Sequence, residues 1–216
     1  MSLNKRLITV RRVALALGLA TLMGATGYAD QEALMKSVGD AVSEVSATKG
    51  QLAATMSSLN SLLATKPGDD LRPAYQAYVD NVGKTKQAAA TNQQRVDQMN
   101  NDSANYFSSW KSDNDKISEA QLRKVATHRL EQVQKNYANS LASLQAASAK
   151  FTPFLSDLGD IQTALSNDLT AKGLKAAKGV FEKANHDHGE VQKEINNAMR
   201  HLAATQTALS PVAGTK

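Results

Sequence analysis

Cysteine is absent from this chain of 216 residues, which excludes disulfides, thiolate metal centres and thiol nucleophiles and leaves packing alone to stabilise the fold. The 25 Lys+Arg outnumber the 20 Asp+Glu and give a sequence pI near 9.3, yet four of those bases and no acid lie in residues 1–29. The remainder holds 21 bases against 20 acids, a net charge of about +1, which excludes the clustered positive surface that holds nucleic acid or anionic lipid.

Lys5, Arg6, Arg11 and Arg12 precede an uncharged apolar run from Val13 to about Leu22, and small residues then lead to Gly27-Tyr28-Ala29. That order predicts a secretory signal peptide over residues 1–29, cut between Ala29 and Asp30. The apolar run is shorter than the roughly 20 residues that cross a bilayer, so the processed protein is expected in the periplasm or outside the cell with no membrane span. No cysteine follows the run, so no lipid anchor is expected. The Arg11-Arg12 pair raises twin-arginine export, but no cofactor motif demands export of a folded chain, and the general secretory route is expected.

Beyond residue 29 only nine aromatic residues remain among many Ala, Ser, Gln, Asn, Lys and Leu, and the prolines stand at 67, 73, 153 and 211. Long helices follow. Alternating steps of three and four residues give a first seam of Met35, Val38, Val42, Val45, Lys49, Leu52, Met56, Leu59 and Leu63, predicting a helix over about 31–65. Lys66-Pro67-Gly68 breaks it, and Asp69 or Asp70 can cap a second helix over 70–110. The second seam is aromatic at its ends (Tyr75, Tyr78, Tyr106, Trp110) and small or polar in the middle (Thr85, Ala89, Asn92), where Asn92 suits a register-fixing contact. Lys111 to Lys116 reads as a polar loop.

Ser118 with Gln121 fits a capping box that opens a third helix over 119–168, with an apolar face through Leu122, Ala126, Leu130, Val133, Tyr137, Leu144, Phe151, Leu155, Leu158, Ile161 and Leu165. Pro153 inside it predicts a kink near 149–153 or two abutting helices. A turn at Asn167–Thr170 leads to a last helix over 171–209, with seam residues Phe181, Ala184, His188, Val191, Ile195, Ala198, Leu202 and Leu209, and residues 211–216 form a tail. The expected fold is all-α, one domain over 30–210: an elongated antiparallel bundle or coiled coil of about four long helices.

Trp110, Ile117-Ser118, Leu122-Arg123, Arg129-Leu130, Tyr137, Phe151, Pro153, Leu155, Asp160, Leu165, Leu169 and Ala171, with Gly68-Asp69-Asp70-Leu71 upstream, resemble the bacterial DUF2959 family of exported helical proteins. The resemblance spans nearly all of the chain after the leader. It departs at Asp160-Ile161-Gln162-Thr163 and at Ser166-Asn167, where family members resemble an Asp-Gln-Val-Leu run and a Lys-His pair, and in lacking the cysteine of lipoprotein-like members. The resemblance implies fold and location; it assigns no activity.

The densest group of ligand-type residues is His186, His188 and Glu190, with His201 further along. His186 and His188, two apart, point away from each other on a helix, and His188 falls on the seam, so no metal site is expected. A haem between Met35 and His201 lacks any attachment motif, so no cofactor is expected either. No G-x-S-x-G elbow occurs, and the only Gly-Lys pair, Gly83-Lys84, has Tyr78 where a phosphate-binding loop begins with glycine. No catalytic residue is assigned. Trp110, Arg123, Arg129 and Tyr137 form a possible interaction tip, because aromatic and arginine side chains concentrate binding energy; Trp110 and Tyr137 would equally close a helical hairpin. The expected function is a non-enzymatic scaffold, adaptor or chaperone-like protein of the cell envelope, with protein partners or self-association through its seams. The alternative is a small-ligand, metal or haem carrier built in the bundle core.

Overall fold

The computed structural model describes residues 25–66 and 68–210, all of them in helices or the short connections between helices. Five helices follow one another among these residues: α1 (Ala25–Leu63), α2 (Arg72–Asp115), α3 (Ala120–Asn167), α4 (Ala171–Ala176) and α5 (Lys178–Leu209). The basic and apolar leader lies outside the described residues, and the expected cut at Ala29/Asp30 falls within the first turns of α1. No helix among the described residues is long and apolar enough to cross a membrane.

Polar cross-links fix the arrangement. Thr55 and Thr85 hydroxyls meet at 2.7 Å, Asn92 Nδ2 donates to Thr48 Oγ1 at 2.6 Å, and Ser109 Oγ donates to Asp30 at 2.5 Å, so α1 and α2 run antiparallel. Ser140 and Thr205 hydroxyls meet at 2.9 Å while Phe154 stacks near His188, so α3 and α5 do the same. Small hydroxyl residues at the two contacts let these helix pairs approach closely. The pairs then dock: Gln31 donates to the Leu209 carbonyl, Lys49 to Asn196, and tyrosines join α2 to α3. The result is a four-cornered antiparallel bundle whose core holds Leu34, Leu52, Leu59, Tyr78, Met99, Phe154, Leu158, Phe181 and Leu202.

Three expectations are corrected. Residues 111–115 are helical, not a loop, because Asn114 turns inward while Lys111 and Asp115 stay in solvent on the same helix; charge on an outer face does not end a helix. The four-residue connection is anchored by buried Ile117, and Glu119 rather than Ser118 caps α3, accepting from Gln121 and Leu122 N–H at 3.1 and 2.6 Å. Those two N–H donors hold its carboxyl below the usual carboxylate range. Of the two readings of Pro153, the division into two abutting helices is overturned: α3 runs unbroken through it with Phe154 and Leu158 buried just beyond.

The expected last helix is interrupted instead at Ala177, where α4 ends and α5 begins. Thr170 caps α4 by accepting from Gly173 N–H, and Gly173 lies so near the Asp168 carbonyl that a Cβ would stand 2.0 Å from its oxygen. At the α1–α2 turn Gly68 adopts φ +98°, a left-handed backbone that glycine tolerates. Asp70 then accepts from Arg72 N–H and grips the Arg72 guanidinium at 2.9 Å, but the N-cap position is taken by Leu71, one residue later than the expected acidic cap.

Candidate binding cleft

The seam between α2 and α3 is clamped at both ends and open in the middle. At one end Tyr78 donates to the Leu158 carbonyl at 2.7 Å and Tyr75 to that of Gln162 at 2.9 Å. At the other, Tyr137 donates to the Met99 carbonyl at 3.1 Å and to Asn100 Oδ1 at 2.8 Å, with the Phe107 ring packed edge-on against it. Burial pushes the Tyr78 and Tyr137 phenols up, so both remain donors at any physiological pH. Between the clamps α2 carries Ala88-Ala89-Ala90 and α3 carries Ala146-Ala147-Ser148-Ala149. Methyl-sized side chains cannot fill the space that the tyrosines hold open.

The consequence is a cleft of about 700 Å³. Its floor comes from Val45 and Thr48 of α1, Leu144 and Ala147 of α3, and Ile195 and Ala198 of α5, all buried. Its walls are half-buried Ala89, Asn92, Val96, Phe151 and Leu155, and its mouth is rimmed by the exposed amides and hydroxyls of Gln93, Asn100, Gln145, Ser148 and Thr152. None of the lining residues carries a charge. The volume lies within the about 300–1,000 Å³ typical of small-molecule sites.

The four residues of the expected interaction tip lie outside the cleft. Trp110 and Tyr137 are buried, Trp110 against Tyr106 at a ring separation of 5.3 Å and Tyr137 in the clamp. Arg123 is exposed and Arg129 half-buried on α3. Tyr106 and Phe107 link the two rings into one aromatic row, so Trp110 and Tyr137 pack inward and close the α2–α3 hairpin. His186 is exposed while His188, half-buried near Phe154, bonds Gln192 at 2.9 Å; among the described residues no three His, Asp or Glu side chains converge as a metal site would require. His201 and Met35 are each half-buried, on different helices. Sequence reasoning missed the cleft, although its signal was present: two alanine-rich stretches come opposite each other once α2 and α3 are paired antiparallel.

No curated protein and no solved structure matches the chain. The family model described as protein of unknown function (DUF2959) matches residues 21–206, nearly the whole of the chain including every helix that lines the cleft. The chain belongs to the DUF2959 family.

Proposed function

We propose that the protein is a non-enzymatic binding protein of the bacterial cell envelope that holds its ligand in the cleft between α2 and α3. The observation that carries the reading is the uncharged 700 Å³ cleft, kept open by tyrosine clamps over an apolar floor. Its chemistry favours holding over reacting. Among the described residues the histidines that form side-chain hydrogen bonds, His128 and His188, form them with Gln132 and Gln192 rather than with a hydroxyl nucleophile. Export rests on the leader, read from the order of its basic, apolar and small residues.

The test is to purify the protein from the envelope of its own cells under native conditions and weigh it by native mass spectrometry. A bound apolar molecule that is lost in Ala89→Phe supports the reading. A protein that carries nothing and binds no apolar probe overturns it.

A second reading, an adaptor, draws on the end of the bundle beyond the Tyr137 clamp. Thr205 lies beside Ser140, so α3 runs roughly four turns past the end of α5. Leu122 and Val125, at 38 and 46% exposure, stand on that uncovered end. A photo-crosslinker at Val125 that yields one discrete adduct, abolished by Leu122→Asp, supports it; scattered or absent adducts count against it.

A further inference from the structure

We propose that the cleft takes a small uncharged amphiphile, with an apolar alkyl or aromatic body and a head that donates hydrogen bonds through hydroxyl or amide groups. This rests on the reading of the cleft as the working site and adds the chemical class of its ligand.

Charge decides the first part. A charged head placed in the cleft would lose hydration and meet no counter-charge, since no lining residue is ionisable. An apolar body, in contrast, would cover Val96, Phe151 and Leu155, which the bundle leaves half-exposed.

Hydrogen bonding decides the second. Asn92 spends its Nδ2 on buried Thr48, and its carbonyl oxygen has no protein donor among the described residues. Turned over, the amide would accept from the Thr48 hydroxyl and leave its Nδ2 donor in the wall, so the donor-head assignment takes Asn92 as drawn, with Oδ1 facing the cavity. At the mouth, Pro153 offers no N–H to the carbonyl four residues earlier, that of Ala149, and Ala149 lines the cleft. Thr152 does not compensate, because its hydroxyl bonds the Ser148 carbonyl at 3.1 Å. Two acceptors are thus without a protein donor, Asn92 Oδ1 in the wall and the backbone carbonyl of the rim residue Ala149. A ligand with a donor head satisfies what the helices leave unpaired. An extended peptide fits less well, for it brings a backbone donor and acceptor at every residue, more than the cleft can pair.

The test uses the purified full-length protein and the neutral fluorophore N-phenyl-1-naphthylamine, displaced by ten-carbon competitors that differ only in the head. Saturable probe binding is expected, weakened about tenfold or more in Ala89→Phe and in Ala149→Leu. Circular-dichroism melting of both variants checks that they fold, and either one alone suffices. Decanol should displace the probe about tenfold better than decanoate, decyltrimethylammonium or decyl methyl ether. If a charged competitor or the ether matches decanol, or an apolar decapeptide surpasses it, the assigned chemistry is wrong while the cleft remains a binding site. If the probe does not saturate, or neither folded variant weakens it, the cleft reading falls with the proposal.

Discussion

Single residues in this bundle carry constraints that composition conceals. Gly173 and Gly179 are six apart near the α4–α5 junction, yet a Cβ at Gly173 collides with the Asp168 carbonyl, while nothing stands within 4 Å of one at Gly179. Gly173→Ala should therefore cost about 3 kcal/mol in denaturant unfolding, and Gly179→Ala should gain up to about 1 kcal/mol. Equal effects would mean that the α3–α4 turn relaxes around the methyl group. His188 gives a pH signature. Burial beside Phe154, at a ring separation of 6.4 Å, holds its imidazole below the ordinary 6.5. As pH falls through that ordinary value the unfolded chain takes up a proton before the folded one does, so this residue's contribution to stability is full above it and declines below. The melting temperature should fall between about pH 7.5 and about pH 5.5 more steeply in the native sequence than in His188→Gln.

At the scale of elements, helix faces and most helix limits were legible, while the start of α1, the end of α2, the cap of α3 and the break at Ala177 were not. The three-four steps from Val38 to Leu59 and from Phe181 to Leu209 fall on buried positions, save half-buried Val42, Lys49 and His188, because apolar spacing and helix geometry share one period. Around Pro153 the same stepping slips: Phe154 is buried while Phe151 and Leu155, read as seam, are half-buried. Boundaries depend on capping atoms instead, and Ser118 and Glu119 are both competent caps until the turn chooses between them. Continuity of α3 through Pro153 was likewise beyond local rules, since burial of Phe154, Leu158 and Ile161 offsets one lost backbone bond. Removing the proline should then release that cost: Pro153→Ala is expected to raise stability by about 1–3 kcal/mol in chemical denaturation. A loss would show that α3 needs the proline's geometry to seat Phe154.

At the scale of the whole molecule, the cleft depends on how two helical pairs meet, and that pairing is a property of no single segment. Asn92 was read as register-fixing and does bond across α1 and α2, but its other role follows only when α3 is laid beside α2. The clamps make this geometry testable. Tyr78 and Tyr137 each place a hydroxyl on a carbonyl of the opposite helix, about twenty residues apart along α3 and hence roughly 30 Å from one another. At that distance their contributions should add: Tyr78→Phe and Tyr137→Phe should each cost about 1 kcal/mol, and the double variant the sum to within about 0.5 kcal/mol. Length offers a check that does not depend on mutation. With 48 residues, α3 alone reaches about 72 Å, so the chain from Asp30 onward should scatter with a radius of gyration of about 21 Å, against about 16 Å for a compact globule of that size. The double variant should keep that length if its clamps only hold α2 against α3 across a preformed bundle. A clear change in scattering, with helicity retained, would show instead that the tyrosines hold the two helical pairs together, and that opening the cleft separates the bundle into hairpins.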